Sequence, residues 1–199
     1  QPVEEIAKIA REKKIIFHID AVDSVGIVPF DVKAIGADLV SFASNTFYGP
    51  TGVGGLYVRR GVKIFPIFDG GVQENNKRAG TENLLGIIGM GSAAEIAKRD
   101  IHTRYAYLKG LKDKFLSELP TVLDEILITT HPVHSLPHLV SASIKYVEGE
   151  SVMLMLDDEG IGVSTRSACA TGSLRASHVL LSIGLSHEDA QGTLVIAFG

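Results

Sequence analysis

The one cysteine of this chain, Cys169, lies in a run of small and polar residues, Ser164-Thr165-Arg166-Ser167-Ala168-Cys169-Ala170-Thr171-Gly172-Ser173. A free cysteine is ordinarily buried and inert, so a packed core thiol is the plain alternative. A core strand would surround the thiol with large apolar residues, and this run has none. Arg166 would lower the thiol pKa if it comes close in space, and a loop of this composition leaves sulfur accessible, so the chemistry expected is that of a nucleophilic thiolate. A second chemical residue is Asp20, at the end of the run Ile15-Ile16-Phe17-His18-Ile19. A carboxylate there either caps a turn or faces a ligand. His18, on the same face of the strand, is read as a packed core histidine. Thr81 closes a polar loop, Gly70 to Asn83, just ahead of a helical stretch. A hydroxyl in that place serves as a helix cap or as a phosphate ligand.

Positioning these groups requires alternating elements. Ile6, Ile9 and Ala10 recur at helical spacing and are followed by the strand ending at Asp20. A short unit from Asp31 to Gly36 feeds the strand Leu39 to Ala43, and a glycine-rich turn leads to a strand from Gly54 to Arg59. A helix follows from Leu84 through about Lys98, with a continuation toward Leu119. Beyond Pro120 the pattern becomes strand at Leu123 to Thr129, strand at Leu139 to Tyr146, and helix at Glu150 to Asp157. The fold class is therefore α/β, with ligands expected beyond the strand ends, followed by a smaller α+β domain. The division expected is residues 1–95 and 96–199.

Bulk properties remove several function classes. The 199 residues are 45% hydrophobic, enough for a sizeable core. A net charge of -4 does not attract a polyanion, so nucleic-acid binding is not expected. No apolar stretch approaches the roughly 20 residues of a membrane span, and the amino end has no secretion signal. A single cysteine cannot form an internal disulfide, which fits a reducing cytoplasm. Gln1 at the start and Phe198-Gly199 directly after an apolar run are read as the ends of a piece.

The segment VEGESVMLMLDDEGIGVSTRSACATGSLRASHVLLSIGLSHEDAQGTL resembles the small-domain segment of cysteine desulfurases of the NifS/IscS type, members of the class V aminotransferase family of fold-type I pyridoxal-phosphate enzymes. The resemblance extends through KRAGTENLLGIIGMGSAAEIA, SFASNTFYGPTGVGGLYVRR and HIDAVDSVGIVPFDV, in the family's order, and covers essentially the whole chain as the second half of such a protein. It implies the C-terminal part of the large-domain sheet followed by the small domain. It also implies removal of sulfur from L-cysteine to give L-alanine and a persulfide on Cys169, with pyridoxal 5′-phosphate as cofactor. Sulfur would pass to a scaffold protein for iron-sulfur cluster assembly. Asp20 matches the carboxylate that pairs with the pyridine nitrogen. Thr81 matches the threonine that reaches the phosphate in the neighbouring subunit of a homodimer.

The same resemblance exposes departures. Asn45 and Thr46 stand in the cofactor turn, and Thr46 occupies the place of the lysine that holds the cofactor and moves the substrate proton. Ala43 replaces a serine. Asp23 stands where the family has a glutamine near the cofactor's phenolic oxygen, Val195 where it has an arginine for the substrate carboxylate, and Val72 and Asn75 replace a glycine and an arginine. The cofactor, if bound, is expected to be non-covalent. Two further readings follow: a non-catalytic sulfur acceptor or assembly scaffold, and a class V aminotransferase or lyase acting on another amino acid.

Overall fold

The computed structural model describes residues 1–165 and 176–199, and the chain divides into two compact units, Gln1–Arg104 and Tyr105–Gly199. The first begins with helix α1 (Val3–Glu12), whose acidic first turn (Glu4, Glu5) and basic Arg11 at the other end complement the helix dipole. Only Ala7 and Ala10 of α1 are buried, while Ile6 and Ile9 face outward. Lys14 then takes a positive φ of 56°, and the bonds Lys14 N–H to Arg11 O and Ile15 N–H to Ala10 O close a Schellman turn. Ile15 and Ile16 are used up in leaving this turn and remain 62% and 57% exposed, so strand β1 covers only His18–Asp20. The sequence had placed the strand's start three residues earlier.

Helix α2 (Val32–Ile35) is capped by Asp31, whose Oδ1 accepts from Lys33 N and Ala34 N, and it ends at Gly36 with φ 80°. These bonds hold the Asp31 carboxyl below its ordinary range, the Ala34 N–H contributing most. Strand β2 (Leu39–Ala43) pairs parallel with β1, a single 3-10 turn covers Asn45–Phe47, and β3 (Gly54–Val58) pairs antiparallel with β2. Ala7, Ile19, Ala21, Ile35, Ala37 and Val40 form the core on one face of this sheet. A short turn α3 (Gln73–Asn76) precedes the 39-residue helix α4 (Leu84–Val122), which presents Ala93 and Ala97 to Phe47.

The second unit is an antiparallel sheet of β4 (Ile126–Ile128), β5 (Leu139–Ile144) and β6 (Thr193–Ala197), in that order. Helices α5 (Gly149–Asp158), α6 (His178–Ser182) and α7 (His187–Gln191) complete it. Gly192 is required where the chain crosses the end of β5, because a Cβ there would meet the carbonyls of Ile144 and Val147. No helix among the described residues is long and apolar enough to cross a membrane.

Candidate functional site

Parallel pairing sends β1 and β2 in the same direction, with Asp20 beside Ser41, so their carboxyl ends open at one edge. In an open α/β sheet this crevice is where ligands bind. After β1 the chain turns over Ala21, whose N–H donates to Ser41 O and whose carbonyl accepts from Ser24 and Val25. Asp20 is exposed, and its Oδ1 accepts from Val22 N at 3.1 Å. Asp23 is exposed in the same turn. After β2, the 3-10 turn brings exposed Asn45 and half-buried Thr46 to the same end. Thr46 Oγ1 donates to Val22 O at 2.7 Å and lies 3.0 Å from Ala43 O, so its hydroxyl stitches the turn after β2 to the turn after β1. Asp20, Asp23, Asn45 and Thr46 thus share one end of the sheet.

Thr81 is exposed in the loop ahead of α4, and the first turn of that helix is capped instead by Asn83, whose Oδ1 accepts from Gly86 N at 3.1 Å. Cys169 lies outside the described residues. Val195 lies in β6 opposite Ser141 and forms a bridge with Ser164 through its own N–H and carbonyl. His18 is not a core histidine. It is exposed, with Nε2 3.1 Å from Ser41 Oγ, because alternation along β1 buries Ile19 and turns both His18 and Asp20 outward.

Two charged residues that the sequence did not single out are firmly held. Asp38 is buried; Oδ2 accepts from Phe17 N at 2.8 Å and Oδ1 from Arg59 Nε at 2.6 Å. The Phe17 N–H and then Arg59 hold its carboxyl below the ordinary range, against the opposing effect of burial. Lys112 is buried in the second unit, and burial lowers its pKa. An aspartate at the start of a strand was a weak available signal for the first. For Lys112, within KGLKDKF, there was none.

The donor set tests whether pyridoxal phosphate fits. A carboxylate at Asp20 and an amide at Asn45 suit a protonated ring nitrogen and polar ring substituents. Covalent attachment to an aldehyde needs a primary amine, and the turn after β2 offers a threonine hydroxyl already engaged by two backbone carbonyls. Ser44 is fully buried against Gly49, with no hydrogen-bond partner for its hydroxyl. These residues do not fit the covalently held form of the cofactor. Among the described residues there is also no cluster of three His, Cys, Asp or Glu side chains to hold a metal ion.

Comparison with known proteins decides the family. The model of the class V aminotransferases matches residues 1–191. The chain belongs to the class V aminotransferase family. Within it, the chain is 46% identical over 199 residues to the cysteine desulfurase IscS of Dictyoglomus turgidum, covering 100% of this chain and 50% of that protein. A solved NifS-like protein superposes with a TM-score of 0.89 at 35% identity, covering 100% of this chain and 51% of its own. A second, SspA in complex with cysteine, gives a TM-score of 0.76 at 28% identity, covering 100% of this chain and 54% of that one. The chain spans about half the length of the curated relatives it matches. The family and the α/β fold expected from the sequence are therefore correct.

Proposed function

We propose that this chain is part of a cysteine desulfurase-type sulfurtransferase acting on L-cysteine. In the net reaction the Cβ–S bond of the substrate breaks and its sulfur forms an S–S bond with the Cys169 thiolate. The substrate carbon ends with hydrogen in place of sulfur, so L-cysteine and the enzyme thiol become L-alanine and an enzyme persulfide. The outer sulfur of the persulfide then passes to a thiolate of an iron-sulfur cluster scaffold protein, in the cytoplasm, and leaves Cys169 as the thiolate. The observation that carries this reading is similarity, over all of this chain and about half of each relative, to named cysteine desulfurases, combined with a carboxylate, Asp20, at the carboxyl end of a parallel strand pair. The neighbour solved with cysteine supports the choice of substrate. Pyridoxal phosphate is proposed as a non-covalent cofactor contacted by Asp20, Asp23, Asn45, Thr46 and, from the other subunit of a homodimer, Thr81. The domain assignment proposed with it is residues 1–95 for the cofactor side and 96–199 for the cysteine side.

The test is to supply pyridoxal phosphate and L-cysteine to the natural full-length protein and measure alanine, sulfide and persulfide on Cys169, beside its Cys169→Ala variant. Alanine and a persulfide that disappears in the variant are expected. Absence of both products, while a lysine-containing relative works in parallel, overturns the enzymatic reading. A second reading, a non-catalytic sulfur acceptor or scaffold, is favoured by one specific observation: the Thr46 hydroxyl is engaged by Val22 and Ala43 where the family anchors its cofactor. Purified protein without a pyridoxal chromophore whose Cys169 thiolate still takes the outer sulfur of a donor persulfide, the donor leaving as its thiol, would establish it.

A further inference from the structure

The segment between β4 and β5 in the second unit is held by side chains, and one of them is an imidazole. Residues 129–138 read Thr-Thr-His-Pro-Val-His-Ser-Leu-Pro-His, with no carboxylate among them. At its start, Thr129 Oγ1 donates to Ser141 O at 3.0 Å, and Ser141 N donates to Thr130 Oγ1 at 2.6 Å. The next turn closes on the ring of His131, whose Nδ1 is 3.0 Å from Val133 N and 2.8 Å from His134 N. Backbone N–H groups only donate, so Nδ1 must be the unprotonated acceptor for both. The carbonyl of His131 accepts from Ser135 Oγ at 2.7 Å. That hydroxyl in turn accepts from Lys112 Nζ at 2.7 Å, and Lys112 also donates to Leu136 O at 2.7 Å. Lys112 is 4% exposed beneath this segment.

A proton on Nδ1 reverses the arrangement. The acceptor becomes a third donor facing two others, both bonds are lost, and a positive charge is added to a segment that already covers a buried ammonium. The charged and titratable neighbours do not offset it. On α4 they are Lys112 and, one turn away, Lys109 paired with Asp113 at 2.5 Å. On the segment itself they are His134, whose ring lies 4.9 Å from that of His131, and His138. The Lys145–Glu125 pair joins the opposite end of β5 to the residue preceding β4.

We propose that His131 is a proton-sensitive latch, which holds the 131–136 turn closed over Lys112 while Nδ1 is free and releases it on acidification. This is independent of any role for Cys169 or a cofactor. The experiment is amide hydrogen exchange on the full chain, corrected for intrinsic rates, from about pH 8 to about pH 5, with ring nitrogen shifts of His131 recorded in parallel. Protection at Val133 and His134 is expected to fall at least about tenfold as the ring takes its proton, two net hydrogen bonds being lost. Val140 and Ala142 in β5 should not change. In His131→Asn the side-chain oxygen accepts the same two N–H groups without titrating, so protection should persist across the range. His134→Gln should keep the wild-type pH dependence. The proposal is overturned if protection in wild type stays level while Nδ1 protonates, or if His131→Asn retains the wild-type pH dependence.

Discussion

The two ends of the β1–β2 pair are built differently. At the amino end, Asp38 is buried and both of its oxygens are engaged, by Phe17 N and by Arg59, while Lys14 sits in a strained backbone conformation so that the chain can enter β1. At the carboxyl end, Asp20, Asp23 and Asn45 are exposed, Asp20 accepts one local bond from Val22 N, and the Thr46 hydroxyl is tied down. One end stabilises the sheet, and the other leaves polar groups free to meet a ligand. At position 46 the threonine adds its hydroxyl to the stitching of the two turns.

The largest effect should come from the amino end. Asp38→Ala leaves the Phe17 N–H and the Arg59 guanidinium without their buried acceptor and should cost about 2–4 kcal/mol in urea unfolding. A loss under about 0.5 kcal/mol would break the contrast. The sign with pH follows from the lowered carboxyl of Asp38. Its folded-state pKa lies below the unfolded value of about 3.9, so the stabilisation is present above that value and is lost as the pH falls through the folded pKa. Asp38→Asn should flatten that acid limb of the stability curve. At the carboxyl end, Thr46→Val removes one donor shared by two carbonyls and should cost about 1 kcal/mol, measured the same way.

Two smaller effects sharpen the comparison. Lys14→Gly relieves a positive φ at the end of α1 and should raise stability by about 0.5–1 kcal/mol, although the residue touches no site. Asp20→Asn should change stability by less than about 0.5 kcal/mol, because the residue is exposed and its one local bond can be kept by an amide oxygen. If the proposed function holds, the same change lowers alanine formation strongly. An Asp20→Asn protein that is badly destabilised would place this residue with Asp38 as a structural one.

Much of the arrangement could be read before any coordinates. Strand β2 and its neighbour β3 were marked by β-branched and aromatic runs between glycine turns, and α5 by its apolar spacing. The failures have local causes. The start of β1 was misplaced because the Schellman turn uses lysine at the position where glycine normally announces the end of a helix. His18 was put in the core because its neighbours are apolar, yet alternation in a three-residue strand turns it out with Asp20. Thr81 and Asn83 both read as helix caps, and only the position of the first turn of α4 selects Asn83.

Composition and motif order by themselves determined the family and the α/β character, because each depends on residue identity along the chain. Tertiary structure alone decided which polar groups are held and which are free. That Thr46 bonds Val22, that Asp38 joins three segments, and that His131 closes a turn over Lys112 depend on contacts between residues up to 24 positions apart. Local propensity carries no information about such partners, since they become neighbours only when strands pair and helices pack.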